Sequence, residues 1–343
     1  MTRLLGVAAA LLWVLTGCSS PEPAPAPATA TTATPTTPTA DPTTEPPPPP
    51  QWPLTGVPME DPSRLDTSPV IGVKVENSGP ARPWVGLSAA DVVFVEMVEA
   101  GLTRFHAVYH SRVPEVVEPV RSLRPMDAAI LGQWDGTLLA SGGQPAFITR
   151  VESVVGLRTH DRGDPGFSRD RTRRAPHNVL VRMGEIVPTL PASGPVRPLA
   201  EYAETPSTSD GAAGSVIRVT YPGARSAWEY GPDVGTYLRS DAGTPSLEAD
   251  GTRISARNVL VLDVTTRDTG LFDSVGNPVP ETVLAGSGTL HLFSGGRLVQ
   301  GTWTKGGDEE PFVLLDDAGA PLVLAPGTTW VELLPERGEA TWQ

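Results

Sequence analysis

The chain has 343 residues, with 26 Lys and Arg against 39 Asp and Glu, a formal net charge of −13 and one cysteine. That balance excludes bulk attraction to nucleic acid or anionic lipid, and a lone cysteine excludes an internal disulfide. The cations are nearly all of one kind, 24 Arg against only Lys74 and Lys305, and thirteen of the Arg lie between Arg82 and Arg182.

Met1 to Arg3 is a short basic start and Leu4 to Leu15 an apolar run. The run is too short for a typical membrane span of about 20 residues. It ends in Leu15-Thr16-Gly17-Cys18. This is the pattern of a lipoprotein signal peptide over residues 1–17, with Cys18 the lipidated first residue of the mature chain. The expected location is the extracytoplasmic face of the cell membrane, held through an N-terminal lipid. One acyl chain holds only marginally and two or more hold stably.

Residues 18–56 are dominated by Pro, Thr and Ala. Such a segment cannot bury enough apolar surface to offset its chain entropy. It is expected to be a disordered linker, biased to polyproline II and reaching on the order of 100 Å at full stretch.

From residue 57 the pattern changes. Val70–Glu76, Asp91–Val98 and Leu102–His110 are expected strands, the last two joined as a hairpin across Glu99-Ala100-Gly101. Pro125–Trp134 and Pro145–Val155 are expected helices, with a short strand Thr137–Ser141 between them. Residues 158–177 form a long Arg-rich loop, a length that in a compact domain is usually functional or disordered. Residues 188–214 are rich in Pro, Ser, Thr and Gly and are expected to link two domains. From 215 onward short strands alternate with Gly, Pro and Asp turns. The expected class is α+β: an α/β layered domain over 57–187, then a mostly antiparallel β domain over 215–343, a sandwich or partly open barrel.

Several ordered motifs resemble the YerB-like lipoprotein family, whose two domains are classed as of unknown function (DUF3048). In the first half they are Ala81-Arg82-Pro83, Gly86 to Val93, Val98 to Phe105, Pro119-Val120-Arg121-Ser122-Leu123-Arg124-Pro125, Gly142-Gly143 and Arg174-Ala175-Pro176-His177-Asn178. In the second half they are Trp228-Glu229-Tyr230, Tyr237-Leu238-Arg239, Asn258 to Val261, Gly301 to Lys305 and Pro326 to Trp330. The resemblance implies a two-domain extracytoplasmic lipoprotein and supplies no activity. One departure is plain: the family's Pro-His-x-Asp reads Pro245-Ser246-Leu247-Glu248 here.

The candidate ligand-binding residues are Arg82, Arg104, Arg121, Arg124, Arg174 and His177. Arg121 and Arg124 stand before an expected helix, where free N–H groups and the dipole collect anions. Arg grips phosphate or carboxylate bidentately. His177 ends the Arg-rich loop beside Arg173 and Arg174, and positive neighbours disfavour its protonated form. Glu96 and Glu99 are expected to pair with Arg104. His106 and His110, four apart on a strand, are about 13 Å apart and do not share a metal. No metal, cofactor or catalytic group is assigned. The expected role is a non-catalytic envelope protein whose Arg-rich face meets an anionic wall polymer or a wall-synthesis protein, with no nucleic-acid partner. The alternative is a metal-dependent phosphotransferase or hydrolase of phosphate-linked wall material, with Asp91 on the metal and Arg121, Arg124, Gly142 and Gly143 on the phosphate.

Overall fold

Alternation in three early strands sets the architecture. β1 (Ile71–Glu76), β2 (Val92–Met97) and β3 (Thr103–Tyr109) form at the expected places, and β3 pairs antiparallel with both others. The computed structural model describes residues 49–343; the signal sequence 1–17, Cys18 and the linker to residue 48 lie outside the described residues.

β1 also runs parallel to the Thr137–Ala140 strand, and that strand parallel to Gly156–Thr159. The connections carry α1 (Asp127–Leu131) and α2 (Pro145–Glu152). On the other side of β2 lies a strand from far along the chain, Thr329–Pro335, parallel to it. Asn258–Phe272 follows, also parallel, then Gly286–Ser294 and Arg297–Lys305 antiparallel. Both segments expected as separate domains, 57–187 and 215–343, therefore contribute to one twelve-stranded sheet. With 44% of the described residues in strands and 13% in helices, the fold is β-rich.

Parity decides which face each side chain enters. Val73, Val75, Val93, Val95, Phe105 and Ala107 pack with Ile217, Val219 and Trp228 of a second, six-stranded sheet. Val92, Phe94 and Val108 pack on the other face with Ile130 of α1 and Phe147 and Val151 of α2. The second-half strands are thus shared between the two sheets rather than closed into their own sandwich or barrel.

Two expected linkers prove to be packed chain. Trp52 and Leu54 are buried and Gln51 bridges Pro58, so the folded unit reaches back before residue 57. Within 188–214, Leu199 is buried, Glu201–Tyr202 pairs with Val323–Leu324, and Ala212–Ala213 pairs with Arg297–Lys305. Their Pro and Ser content hides a few well-placed apolar anchors. Both lysines are buried, Lys74 at 0% and Lys305 at 2% exposure. Lys305 Nζ donates to the carbonyls of Gly307, Asp308 and Glu310.

Candidate functional site

Burying one apolar side chain contributes about 1.5–3 kcal/mol. A charge at such a position forfeits that and adds a desolvation cost. Five charged or titratable residues nevertheless occupy positions of one parity in β1, β2 and β3. The register places Lys74 opposite His106, and Glu76 opposite Arg104, which faces Glu96 across the other edge of β3. All five point to the helical face.

The inner part of this stripe is dry: Lys74, Glu96, His106 and Asp127 are all 0% exposed. Lys74 pairs with Glu96 and, at 2.9 Å, with Asp127 Oδ1. His106 Nδ1 lies 2.7 Å from the same oxygen. Burial pushes Lys74 down to about 8, against the pull of Asp127. Burial would raise the Asp127 carboxyl, but Lys74 and the bond from His106 outweigh it and hold it well below the usual range. Burial also lowers His106. A Cβ on Gly72 would overlap the His106 ring, so this close approach requires glycine.

The outer part lies where β1 and the Thr137–Ala140 strand end. The expected motifs meet there. Arg121 N–H donates to Lys74 O at 2.8 Å, Ser141 N–H to Arg121 O at 2.9 Å, and Leu123 N–H to Gly142 O at 2.9 Å. The PVRSLRP segment is thus wedged between β1 and the Ser141-Gly142-Gly143 turn. Carboxyl ends of parallel strands are the usual ligand edge of open α/β sheets.

Three guanidinium groups converge here on two carboxylates. Arg124 Nε donates to Glu99 Oε1 at 2.5 Å and its Nη1 to Leu123 O at 2.7 Å. Arg104 donates to Ser122 O at 2.8 Å and stands 3.6 Å from Glu99 Oε2. Arg121 Nε is 3.5 Å from Glu76 Oε2 and its Nη1 donates to Pro176 O at 3.3 Å. His177 Nδ1 is 2.9 Å from Glu76 Oε1, which also accepts from Ser78 at 2.7 Å. Burial, then Arg124 beside it, pushes Arg104 down to about 9. Burial would raise Glu99, yet its bond from Arg124 leaves it lowered.

Four of the six expected residues, Arg104, Arg121, Arg124 and His177, are therefore brought together. Arg82 is not: it bonds Asn77 Oδ1 at 3.1 Å, pairs with Asp241 at 3.2 Å and lies over Trp84. Arg174 is exposed near His177 and forms no ion pair among the described residues. The group touching His177 is a carboxylate rather than the cations expected to govern it. The amides before α1 hold no free anion site either, because Asp127 Oδ2 accepts Arg124 N–H at 2.6 Å. Glu99 pairs with Arg104 as expected, whereas Glu96 turns to Lys74.

Asp91 does not serve this edge. It precedes β2, five residues from the Glu96 level and so roughly 17 Å away along the strand. Its carboxylate accepts the His110 and Ser111 amides at 2.7 Å each and the Ser111 hydroxyl. Burial pushes it up to about 6 despite those bonds. A metal on Asp91 could not touch a phosphate held by Arg121, and no cluster of His, Cys, Asp or Glu suited to a metal exists among the described residues. Where the family's histidine is missing, Ser246 donates to Asp241 and Glu248 accepts the Gly86 and Ser88 amides. A hollow of about 440 Å³ opens beside the Glu99–Gly101 turn, lined by Met97, Val98, Arg267, Asn277 and Arg337 but by none of the converging Arg.

The sequence reasoning missed Lys74, Glu76, Asp127 and the roles of Glu96 and His106. A usable signal was present: charges recur at one parity inside three otherwise apolar strands.

The other face holds a second buried charge, Glu332, at 0% exposure. It accepts from Tyr221 at 2.9 Å, Ser226 at 3.1 Å, Trp228 at 2.9 Å and Arg239 at 3.0 Å. Arg239 also bonds Asp241 at 2.9 Å and lies among the rings of Phe105, Trp228 and Trp330.

Two family profiles match the chain. Residues 54–195 match "Protein of unknown function (DUF3048) N-terminal domain" and residues 217–331 the corresponding C-terminal domain. A Bacillus subtilis (strain 168) protein described as "Putative lipoprotein YerB" is 25% identical over 300 residues, covering 84% of this chain and 87% of that one. The crystal structure of YerB from Bacillus subtilis superposes with a TM-score of 0.73 at 23% identity, over 85% of this chain and 99% of that chain. That likeness speaks to the fold alone.

Proposed function

The chain belongs to the DUF3048 family, matching both its N-terminal and its C-terminal domain of unknown function, and from that premise we propose that it is an envelope lipoprotein that binds an anionic ligand without turning it over. In this reading Cys18 carries the lipid, the Pro-rich segment joins it to the folded unit on the outer side of the membrane, and Arg121, Arg174 and His177 face the ligand with Arg104 and Arg124 behind them. The Cys18 sequence pattern and the lipoprotein relative support the anchor. No helix among the described residues is long and apolar enough to cross a membrane.

One observation carries the ligand reading. Arg104, Arg121 and Arg124 crowd together at the ligand edge of the sheet with only Glu76 and Glu99 to balance them. Arg124 spends its donors on Glu99 and backbone carbonyls, but Arg121 is partly exposed, at 24%, and its contact with Glu76 falls outside hydrogen-bond geometry. Like charges held together with donors to spare favour an incoming anion.

The test is co-sedimentation of the full chain, in detergent, with purified wall sacculi carrying or stripped of their phosphate polymers. Arg121→Ala and Arg174→Ala are run beside the wild type at 50 mM and 300 mM salt. Binding that needs the polymer, weakens with salt and falls in both variants is the expected result. Equal pelleting of all three proteins removes the Arg edge as a wall contact.

A further inference from the structure

Resting on the anion-binding reading, the geometry of Glu76, Arg121 and His177 narrows the ligand further. The chemistry turns on which ring nitrogen of His177 is committed. Nδ1 lies 2.9 Å from Glu76 Oε1, in a carboxylate that is only 5% exposed. A carboxylate accepts, so the proton of a neutral ring sits on Nδ1. Nε2 then presents a lone pair. It has no partner among the described residues, and the side chain is 21% exposed, so this lone pair is open to a ligand.

Arg121 stands directly beside the ring. Its Nη1 donates to the carbonyl of Pro176, the residue before His177, and its Nε faces the same Glu76 carboxylate. The buried carboxylate thus positions a donor and an acceptor side by side. Arg121 offers N–H groups to an anion, and His177 offers an acceptor to an O–H. A ligand that satisfies both carries an anionic group next to a hydroxyl. A phosphoryl group suits the anionic half, since its several oxygens can take the remaining N–H groups of Arg121 and its higher charge gains most from the field of Arg104 and Arg124 behind it.

We propose that the site recognises a hydroxylated phosphate, of the polyol or sugar phosphate class, with Arg121 on the phosphoryl oxygens and His177 Nε2 accepting from a neighbouring hydroxyl. No bond is made or broken in this recognition. Arg104 and Arg124 set the local field, and Glu76 acts as a positioning residue for both contacts.

Two measurements test this on the full chain in detergent. The first is calorimetric titration with glycerol 1-phosphate, methyl phosphate and glycerol. Wild type should bind glycerol 1-phosphate at least tenfold more tightly than methyl phosphate, and glycerol not at all. His177→Ala should bring the two phosphates within about twofold, a pattern set by the loss of one hydrogen bond. Arg121→Ala should weaken both at least tenfold. Equal wild-type affinity for the two phosphates overturns the hydroxyl contact and leaves the anion reading standing. Binding of neither phosphate at millimolar concentration overturns the anion reading itself. The second measurement is the ring ¹⁵N spectrum, legible because the chain has five histidines. His177 should show the Nδ1–H tautomer, and an Nε2–H tautomer overturns the assignment.

Discussion

Two nests of buried charge lie on opposite faces of the same sheet, and they are paired to different degrees. Glu332 has four donors on its two oxygens, and its cation, Arg239, is shared with Asp241 and enclosed by three aromatic rings. Both oxygens of Glu332 are engaged, and of Arg239 only Nε is left without a partner. On the other face the stripe begins as dry as Glu332, at Lys74 and Asp127, and ends at a rim where Arg121 and His177 keep unspent groups. A fully bonded buried charge specifies how two layers dock. A stripe that is ion-paired inside and open outside holds a surface group from below while leaving its tip free.

That contrast can be broken at its strongest point first. Glu332→Ala strips four donors of their acceptor and leaves buried Arg239 with Asp241 as its one counter-charge, which should cost about 3 kcal/mol or more. Urea unfolding followed by tryptophan fluorescence measures it, and an unchanged midpoint would mean that the pairing there is incidental. Lys74→Met should cost nearly as much, about 3 kcal/mol, because Glu96 and Asp127 would stay buried without their cation. Recovery of stability on lowering the pH, as one of the two carboxylates takes a proton, would be its signature.

Acid titration of the wild type compares the opposite signs of the buried carboxyls. Asp127, Glu99 and Asp241 are held low in the fold. Each contributes stability present above its unfolded value, near 4, and lost as the pH falls through its folded value. Asp91, pushed up to about 6, works the other way: its contribution is full below about 4 and is lost as the pH rises through 6. The buried histidines oppose Asp91: burial lowers His106, His291 and, to about 4, His110, so their contributions are full above about 6.5 and are lost as the pH falls toward the folded values. Unfolding free energy should therefore begin to fall below about pH 6.5, with Asp91 offsetting part of the loss between about 6 and 4, and fall further below about 4. Denaturant midpoints that rise steadily from about pH 7 to 4 would contradict these signs.

The rim predicts the reverse balance of effects. Arg121→Ala should weaken phosphate binding at least tenfold, about 1.4 kcal/mol, yet shift stability by less than about 1 kcal/mol, since its ion pair is partly exposed. A large loss of stability with unchanged binding would make Arg121 another Glu332. Smallest of all, Arg174→Ala should leave stability within about 0.5 kcal/mol and reduce polymer binding about twofold, with a shallower salt dependence.

The parts of the fold legible in the sequence were those with local causes. β1, β2 and β3 were readable because their alternation and the Glu99-Ala100-Gly101 break are contained within 40 residues. The position of Thr329–Pro335 beside β2 was not, because no local pattern records a partner more than 200 residues away. Residues 188–214 and Gln51 to Leu54 read as linkers because composition averages away single anchors such as Leu199 and Trp52. The candidate site was half legible. Arg121, Arg124 and His177 announced themselves by clustering along the chain, whereas their buried support is spread over three strands and one helix. It shows only when the charges are read by face, Lys74 and Glu76 against Arg104 and His106. Arg82 was misplaced for the opposite reason: it is close in sequence to the site and belongs, through Asp241, to the other layer.

The burial of both lysines has a consequence for covalent chemistry. With Lys74 and Lys305 enclosed, the folded surface displays no side-chain amine at all. Acylation of lysine, imine formation and isopeptide linkage all need such an amine, so the folded unit resists them. Its outward positive charge is guanidinium, which keeps its proton at any physiological pH. Amine-directed cross-linkers should therefore pass over the folded unit even when a neighbour is in contact with it. Reagents aimed at carboxylates or arginine are the ones that can record what it touches.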